Sequence, residues 1–160
     1  MFSYVKAFTL TENYKGVGIM IKIKINETDQ EAFNKNYKDA RAYHNRAKQF
    51  LDEGQYPSVV FNVASIALER YLIALGNLYG VDAENHNYGS LMDLVETIID
   101  FPEDLNKEIR SLDVIYDICS VNNPYSKIPD LSDLQQILTI CSEVKKIIDE
   151  INDYPQSLWK

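Results

Sequence analysis

Histidine and cysteine are scarce in this chain, and that scarcity excludes a class of chemistry. The 160 residues hold two histidines, His44 and His86, two cysteines, Cys119 and Cys141, and one tryptophan. No His-x-x-x-His or Glu-x-x-His spacing occurs, and two thiols are too few for a metal or disulfide framework, so no metal and no cofactor is expected. Both cysteines fall on apolar helical faces and read as reduced, buried thiols. Positive charge is also short: 16 Lys and Arg against 24 Asp and Glu give a net charge of −8. That balance argues against a generally basic nucleic-acid binder. Residues 1–27 are a local exception, with Lys6, Lys15, Lys22 and Lys24 against Glu12 and Glu27. No charged segment leads into an apolar one as in a signal peptide. No uncharged run reaches the ~18 residues that a membrane span requires. The expectation is a cytoplasmic protein with no membrane partner.

What is present is an ordinary globular composition, 46% hydrophobic and 25% charged, at a length that fits one domain with a substantial core. Residues 2–25 read as a β-hairpin. FSYVKAFTL and VGIMIKIKI flank the turn-like TENYKG, and Ile19, Ile21, Ile23 and Ile25 alternate with Met20, Lys22 and Lys24. Lys22 and Lys24 either meet phosphate or protect an open edge from pairing. Thr28 and Glu31 form a capping box that opens the first helix. Phe33, Tyr37, Ala40, Tyr43, Ala47 and Phe50 supply its inward face, and Gly54 its stop. A second helix is expected from Pro57 to about Tyr79, punctuated by Gly80. A short third helix follows from a cap at Ser90 and Asp93 to about Ile99. A fourth restarts at Asp100 and Pro102, with Leu105, Ile109, Leu112, Ile115 or Tyr116, and Cys119 inward. After the turn-rich VNNPYSKIPD, a last helix over Ser132–Asn152 carries the stripe Leu134, Ile137, Leu138, Cys141, Val144, Ile148 and Ile151. The fold class is therefore mainly α: an up-down bundle of about five helices over 28–153, with an N-terminal β-hairpin at 1–27 and a tail at 154–160.

The second helix, PSVVFNVASIALERYLIALGNLYG, has almost no polar face, and only Glu69 and Arg70 put charge in its middle. Such a helix must be surrounded, and its surplus apolar surface suggests closure by a second copy of the chain.

The same stretch carries a family resemblance. Gln55-Tyr56-Pro57-Ser58 leads to Ala67-Leu68-Glu69-Arg70-Tyr71-Leu72-Ile73-Ala74-Leu75. This is similar to the Gly-Xaa-Tyr step and the A-(I/L)-E-x-(Y/F)-L-x-A-L helix of HEPN domains. His86 with Leu91 and Leu94 resembles the histidine-containing loop and leucine-bearing helix that follow in the family. Leu112 to Tyr116, standing before Asn122-Asn123-Pro124-Tyr125, resembles its L-x-x-x-Y segment and turn. The resemblance spans about residues 30–152 and leaves the hairpin outside. It implies a helical bundle, commonly a homodimer, and in many members a metal-independent ribonuclease of toxin type. Those enzymes use Arg followed four to six residues later by His: the imidazole for proton transfer, the guanidinium for the phosphate. Arg110 lies in the matching region, but positions 115–117 are Ile, Tyr and Asp, and no histidine follows His86. The motif is broken. Tyr116 is a poor replacement base, because a phenol of ordinary pKa ~10 keeps its proton at neutral pH.

The reading is thus a non-catalytic binding or assembly module, with a nucleotide, RNA or a protein as partner. The alternatives are a divergent ribonuclease using Arg110 with Tyr116 or a displaced His86, or a structural partner of a nucleotidyltransferase-like subunit. The chain itself carries no transferase motif. The candidate polar cluster is Glu69, Arg70, Arg110, Tyr116, Asn122, Asn123 and Tyr125. Glu69 either orients Arg110 or makes one internal ion pair while Arg70 reaches outward. Tyr116 and Tyr125, beside the two asparagines, either stack on a base or pack a loop. His44 and His86 are expected at the surface, and Tyr37, Tyr43, Tyr71 and Tyr79 in the packing.

Overall fold

The computed structural model describes residues 29–114 and 128–153, and among them the protein is an all-helical bundle. The elements are α1 (Gln30–Asp52), α2 (Pro57–Asn77), α3 (Tyr88–Ile98), α4 (Glu103–Ser111), a 3-10 turn (Leu112–Val114) and α5 (Leu131–Asp153). The expected β-hairpin, Tyr116, Cys119, Asn122, Asn123 and Tyr125 all lie outside the described residues.

The helix ends follow from local chemistry, and several differ from the sequence reading. The cap of α1 is Asp29, whose carboxylate accepts from the Ala32 N–H at 2.9 Å. Asn87 caps α3 in the same way, accepting from the Ser90 N–H at 2.7 Å, so that helix starts two residues before Ser90. Reciprocal bonds between Asp130 and Asp133 start α5: the Asp130 N–H reaches the Asp133 carboxylate at 2.8 Å and the Asp133 N–H returns to Asp130 at 3.1 Å. Regular helix in α4 ends at Ser111, where the chain tightens into the 3-10 turn, short of the expected continuation. At the ends of α1 and α2, Gly54 and Gly80 take the left-handed conformation, φ 70° and 66°. The following amides, Gln55 and Val81, bond back to Phe50 and Gly76 at 3.0 Å each. That closure needs a residue without the Cβ penalty of positive φ.

The axis of the bundle is α2. Thirteen of its 21 residues are buried, including Val60, Phe61, Leu68, Tyr71, Leu72 and Leu75. Helices α1 and α5 pack on it extensively and meet each other only sparsely, while α3 and α4 close one end. By length and composition α2 could cross a bilayer, but 61% of its most apolar stretch is buried inside the bundle. Each fully buried Leu or Phe contributes about 1.5–3 kcal/mol, so the apolar character is accounted for by this core. Eight of the 21 residues of α2 are not fully buried, Val59 among them at 38% exposure.

At Gly76, inside α2, the neighbouring chain approaches the helix backbone closely. A Cβ there would lie 2.7 Å from the Val81 carbonyl oxygen and 3.3 Å from a Leu94 methyl. The loop after α2 and the flank of α3 therefore sit against bare backbone.

On α1 the expected inward face is buried at Phe33, Ala40 and Ala47 and half-buried at Tyr37 and Phe50, and it fails at one position, Tyr43. Tyr43 is 40% exposed, whereas His44 is 3% exposed and joins Phe33, Ala40 and Ala47 in the core. Along α5 the expected stripe is buried at Leu134, Ile137, Leu138, Cys141, Val144 and Ile148, with Ile140 and Ile147 added and Ile151 half-buried.

Candidate functional site

Arg110 stands in the last turn of α4, and its guanidinium is almost fully taken up by the protein. Nε donates to the Asn106 side chain at 2.7 Å, and Nη1 to the Gly89 carbonyl at 3.2 Å. Nη2 donates to Asp93 at 2.7 Å and to Glu96 at 3.0 Å. Asn106 is itself tied to Glu96, donating at 2.5 Å. Four of the five guanidinium N–H groups thus have partners, two of them carboxylates on α3. The hydrogen bond and charge of Asp93, helped by Glu96, hold Arg110 above its usual range, so the positive charge is permanent and locally neutralised.

The same corner is fixed a second time by Asp113 in the 3-10 turn. Its two carboxylate oxygens accept from the Tyr88 and Gly89 amides, each at 2.9 Å. Those are free N–H groups at the start of α3, where a negative charge is favoured. Arg110 and Asp113 together bind α3 to the end of α4.

The other predicted polar residues have different partners. Glu69 is paired with Nδ1 of His86 at 2.5 Å, with side-chain exposures of 18% and 60%. This ties the 81–87 loop to α2 and does not engage Arg110. Arg70 points to α1, donating to Asn36 at 2.9 Å. Asn36 donates on to Asn77 at 2.9 Å, and Asn77 to Asp82 at 3.2 Å, a chain of polar groups across the end of α2. Of the candidate cluster, then, Glu69, Arg70 and Arg110 are placed in three separate networks, and the remaining four residues lie outside the described segments.

Sequence reasoning missed one buried polar pair. His44 Nδ1 is hydrogen-bonded to the Tyr71 hydroxyl at 3.2 Å, and the two rings meet edge to face at 5.9 Å. Burial, followed by the charges of Lys48 and Lys145, lowers the His44 pKa to about 4. The Leu138 carbonyl acts in the opposite direction, yet Nε2 has no partner at hydrogen-bonding distance. Burial likewise pushes the Tyr71 phenol well above its usual range, so both members of the pair are neutral at pH 7. Cys141 is fully buried, with its thiol pushed up to about 12 by that burial, an inert packing residue rather than a nucleophile. Among the described residues, no group of three or more His, Cys, Asp and Glu side chains could hold a metal ion.

Comparison with curated proteins and with solved structures gives no match. The HEPN domain model matches residues 34–154, which is most of the chain and the whole bundle beyond the first turn of α1. The helix order, the apolar α2 with its Glu69 and Arg70, and that match agree: the chain belongs to the HEPN domain family.

Proposed function

We propose that this protein is a cytoplasmic, non-nucleolytic HEPN module that binds or assembles rather than cuts. The observation carrying this reading is the state of Arg110. A nuclease of the family pattern needs that guanidinium free for phosphate and a histidine four to six residues on. Here the guanidinium is held by Asp93, Glu96, Asn106 and the Gly89 carbonyl, and positions 115–117 are Ile, Tyr and Asp. The partner classes that fit are a small nucleotide, RNA, a second copy of the chain or a nucleotidyltransferase-like subunit.

One observation favours a second reading. His86 is oriented by Glu69 through Nδ1 and is largely exposed, as a general base held by a carboxylate would be. Arg110 contacts Gly89, three residues further along the same segment. A displaced ribonuclease site would draw on these two residues.

Incubating the purified protein with RNA in the presence of a chelator separates the readings. No cleavage is expected from the wild type. Cleavage that disappears in Arg110→Ala and His86→Ala would overturn the binding-module reading and establish the second.

A further inference from the structure

A second group of cations lies elsewhere, in the groove between α1 and α5 over α2. A cleft of about 310 Å³ there is lined by Arg41, His44, Asn45 and Lys48 of α1, Tyr71 of α2 and Lys145 of α5. The α1 residues follow at i, i+3, i+4 and i+7, so the helix presents them as one strip.

The charge balance of this cleft is opposite to that of the whole chain. Arg41 rests over the Tyr37 ring at 5.9 Å and has no carboxylate partner among the described residues, nor does Lys48. Lys145 is paired with Asp149 at 2.5 Å. Asp149 also accepts a hydrogen bond from the Tyr37 hydroxyl. Among the described residues no carboxylate lines the cleft. Counting the lining side chains and their one ion-pair partner, three cations stand against one carboxylate, a local excess of two positive charges with Asp153 further out beside Tyr37, in a protein whose net charge is −8. Like charges drawn into one concavity repel unless an anion joins them. His44 adds no charge, but its buried ring lines the cleft with Nε2 lacking a hydrogen-bond partner.

We propose that this cleft is a binding site for a small phosphate monoester, held as its dianion. The two surplus charges match such a group. Arg41 offers a planar pair of N–H donors, Lys48 and Lys145 offer point charges, and Asn45 and Tyr71 bring neutral polar groups. The volume lies at the lower end of small-molecule sites and suits a phosphorylated metabolite-sized compound rather than a polymer. The site shares no residue with the Arg110 corner. The proposal gives a ligand class to the binding-module reading but is tested apart from it, since RNA cleavage at Arg110 would leave the affinity of this cleft unchanged.

Inorganic phosphate, glycerol 3-phosphate and AMP, followed by amide chemical shifts in α1 and α5 and by calorimetry, test it directly. Vesicles of phosphatidylcholine with and without phosphatidic acid form a second arm. Saturable binding of the soluble monoesters is expected, weakened about tenfold or more in the Arg41→Gln/Lys48→Gln variant, because charge-assisted hydrogen bonds to phosphate are about twice as strong as neutral ones. Both positions are exposed, so the variant is expected to fold. Arg46→Gln removes one charge from the same helix outside the cleft and is expected to bind as the wild type does. Three results would each overturn the proposal. One is no binding of any soluble phosphate. Another is binding that the double variant leaves intact. The third is binding confined to the phosphatidic acid vesicles.

Discussion

The Arg110 corner and the α1–α5 cleft hold the same chemical group, arginine, in opposite circumstances. At the corner, Asp93 and Glu96 meet the guanidinium at 2.7 and 3.0 Å, and Asn106 and the Gly89 carbonyl take two further N–H groups. In the cleft, Arg41 and Lys48 have no carboxylate among the described residues, and the one partnered cation is Lys145. The first arrangement spends its charge on joining α3 to α4. The second leaves charge facing a concavity beside a buried, neutral histidine. Within a family whose nucleases depend on an arginine of the last helices, the difference separates an arginine that serves the fold from cations available to a ligand.

The largest expected effect comes from crowding α2 against the loop that follows it and against the α3 that the corner holds. Gly76→Ala places a Cβ 2.7 Å from the Val81 carbonyl oxygen, a backbone atom that cannot rotate away. A loss of about 1–3 kcal/mol in chemical denaturation is expected, the usual cost of overpacking. The loop that carries His86 should shift with it, whereas amide shifts of α1 and α5 around the cleft should stay near those of the wild type.

A smaller effect reports on the cleft. His44 has its pKa lowered from 6.5 to about 4 in the folded chain. Between those values the unfolded chain binds the extra proton. The His44 contribution is therefore fully present above about pH 6.5 and is lost progressively as the pH falls to about 4. Comparing denaturation curves of wild type and His44→Gln across that window should show a shallower acid slope in the variant. Lys48→Gln removes one of the charges that lower this pKa. NMR titration should then place the His44 midpoint higher than in the wild type. An unchanged midpoint would contradict a positively charged cleft.

How much of this was legible in the sequence depends on how far apart the interacting residues lie. The bundle, the buried α2 and the α5 stripe follow from apolar spacing alone, because each pattern is local to one helix. The caps were missed by a residue or more, since Asp29 and Asn87 neighbour other plausible caps and only backbone geometry selects among them. On α1, apolar character favoured Tyr43 over His44, although both suit a helical period. What selects His44 is Tyr71, 27 residues away on another helix. Arg110 was singled out by its position in the family pattern, but its partners Asp93 and Glu96 lie 17 and 14 residues earlier. The cleft was invisible for the same reason: nothing local to α1 joins Arg41 and Lys48 to Lys145, which α5 brings beside them.

The central claim is that Arg110 is spent on the fold, and a double-mutant cycle tests it most directly. Stabilities of wild type, Arg110→Gln, Asp93→Asn/Glu96→Gln and the combined variant are measured by denaturation at low salt. The pairs are partly exposed, with 34% of the Arg110 side chain accessible against 73% and 49% for Asp93 and Glu96. The expected coupling is therefore modest, about 0.5–1 kcal/mol. A coupling of that size, with no gain of RNA cleavage in any of the four proteins, is the predicted result. Additive stabilities, together with an Asp93→Asn/Glu96→Gln variant that cleaves RNA, would show instead an arginine held ready for chemistry.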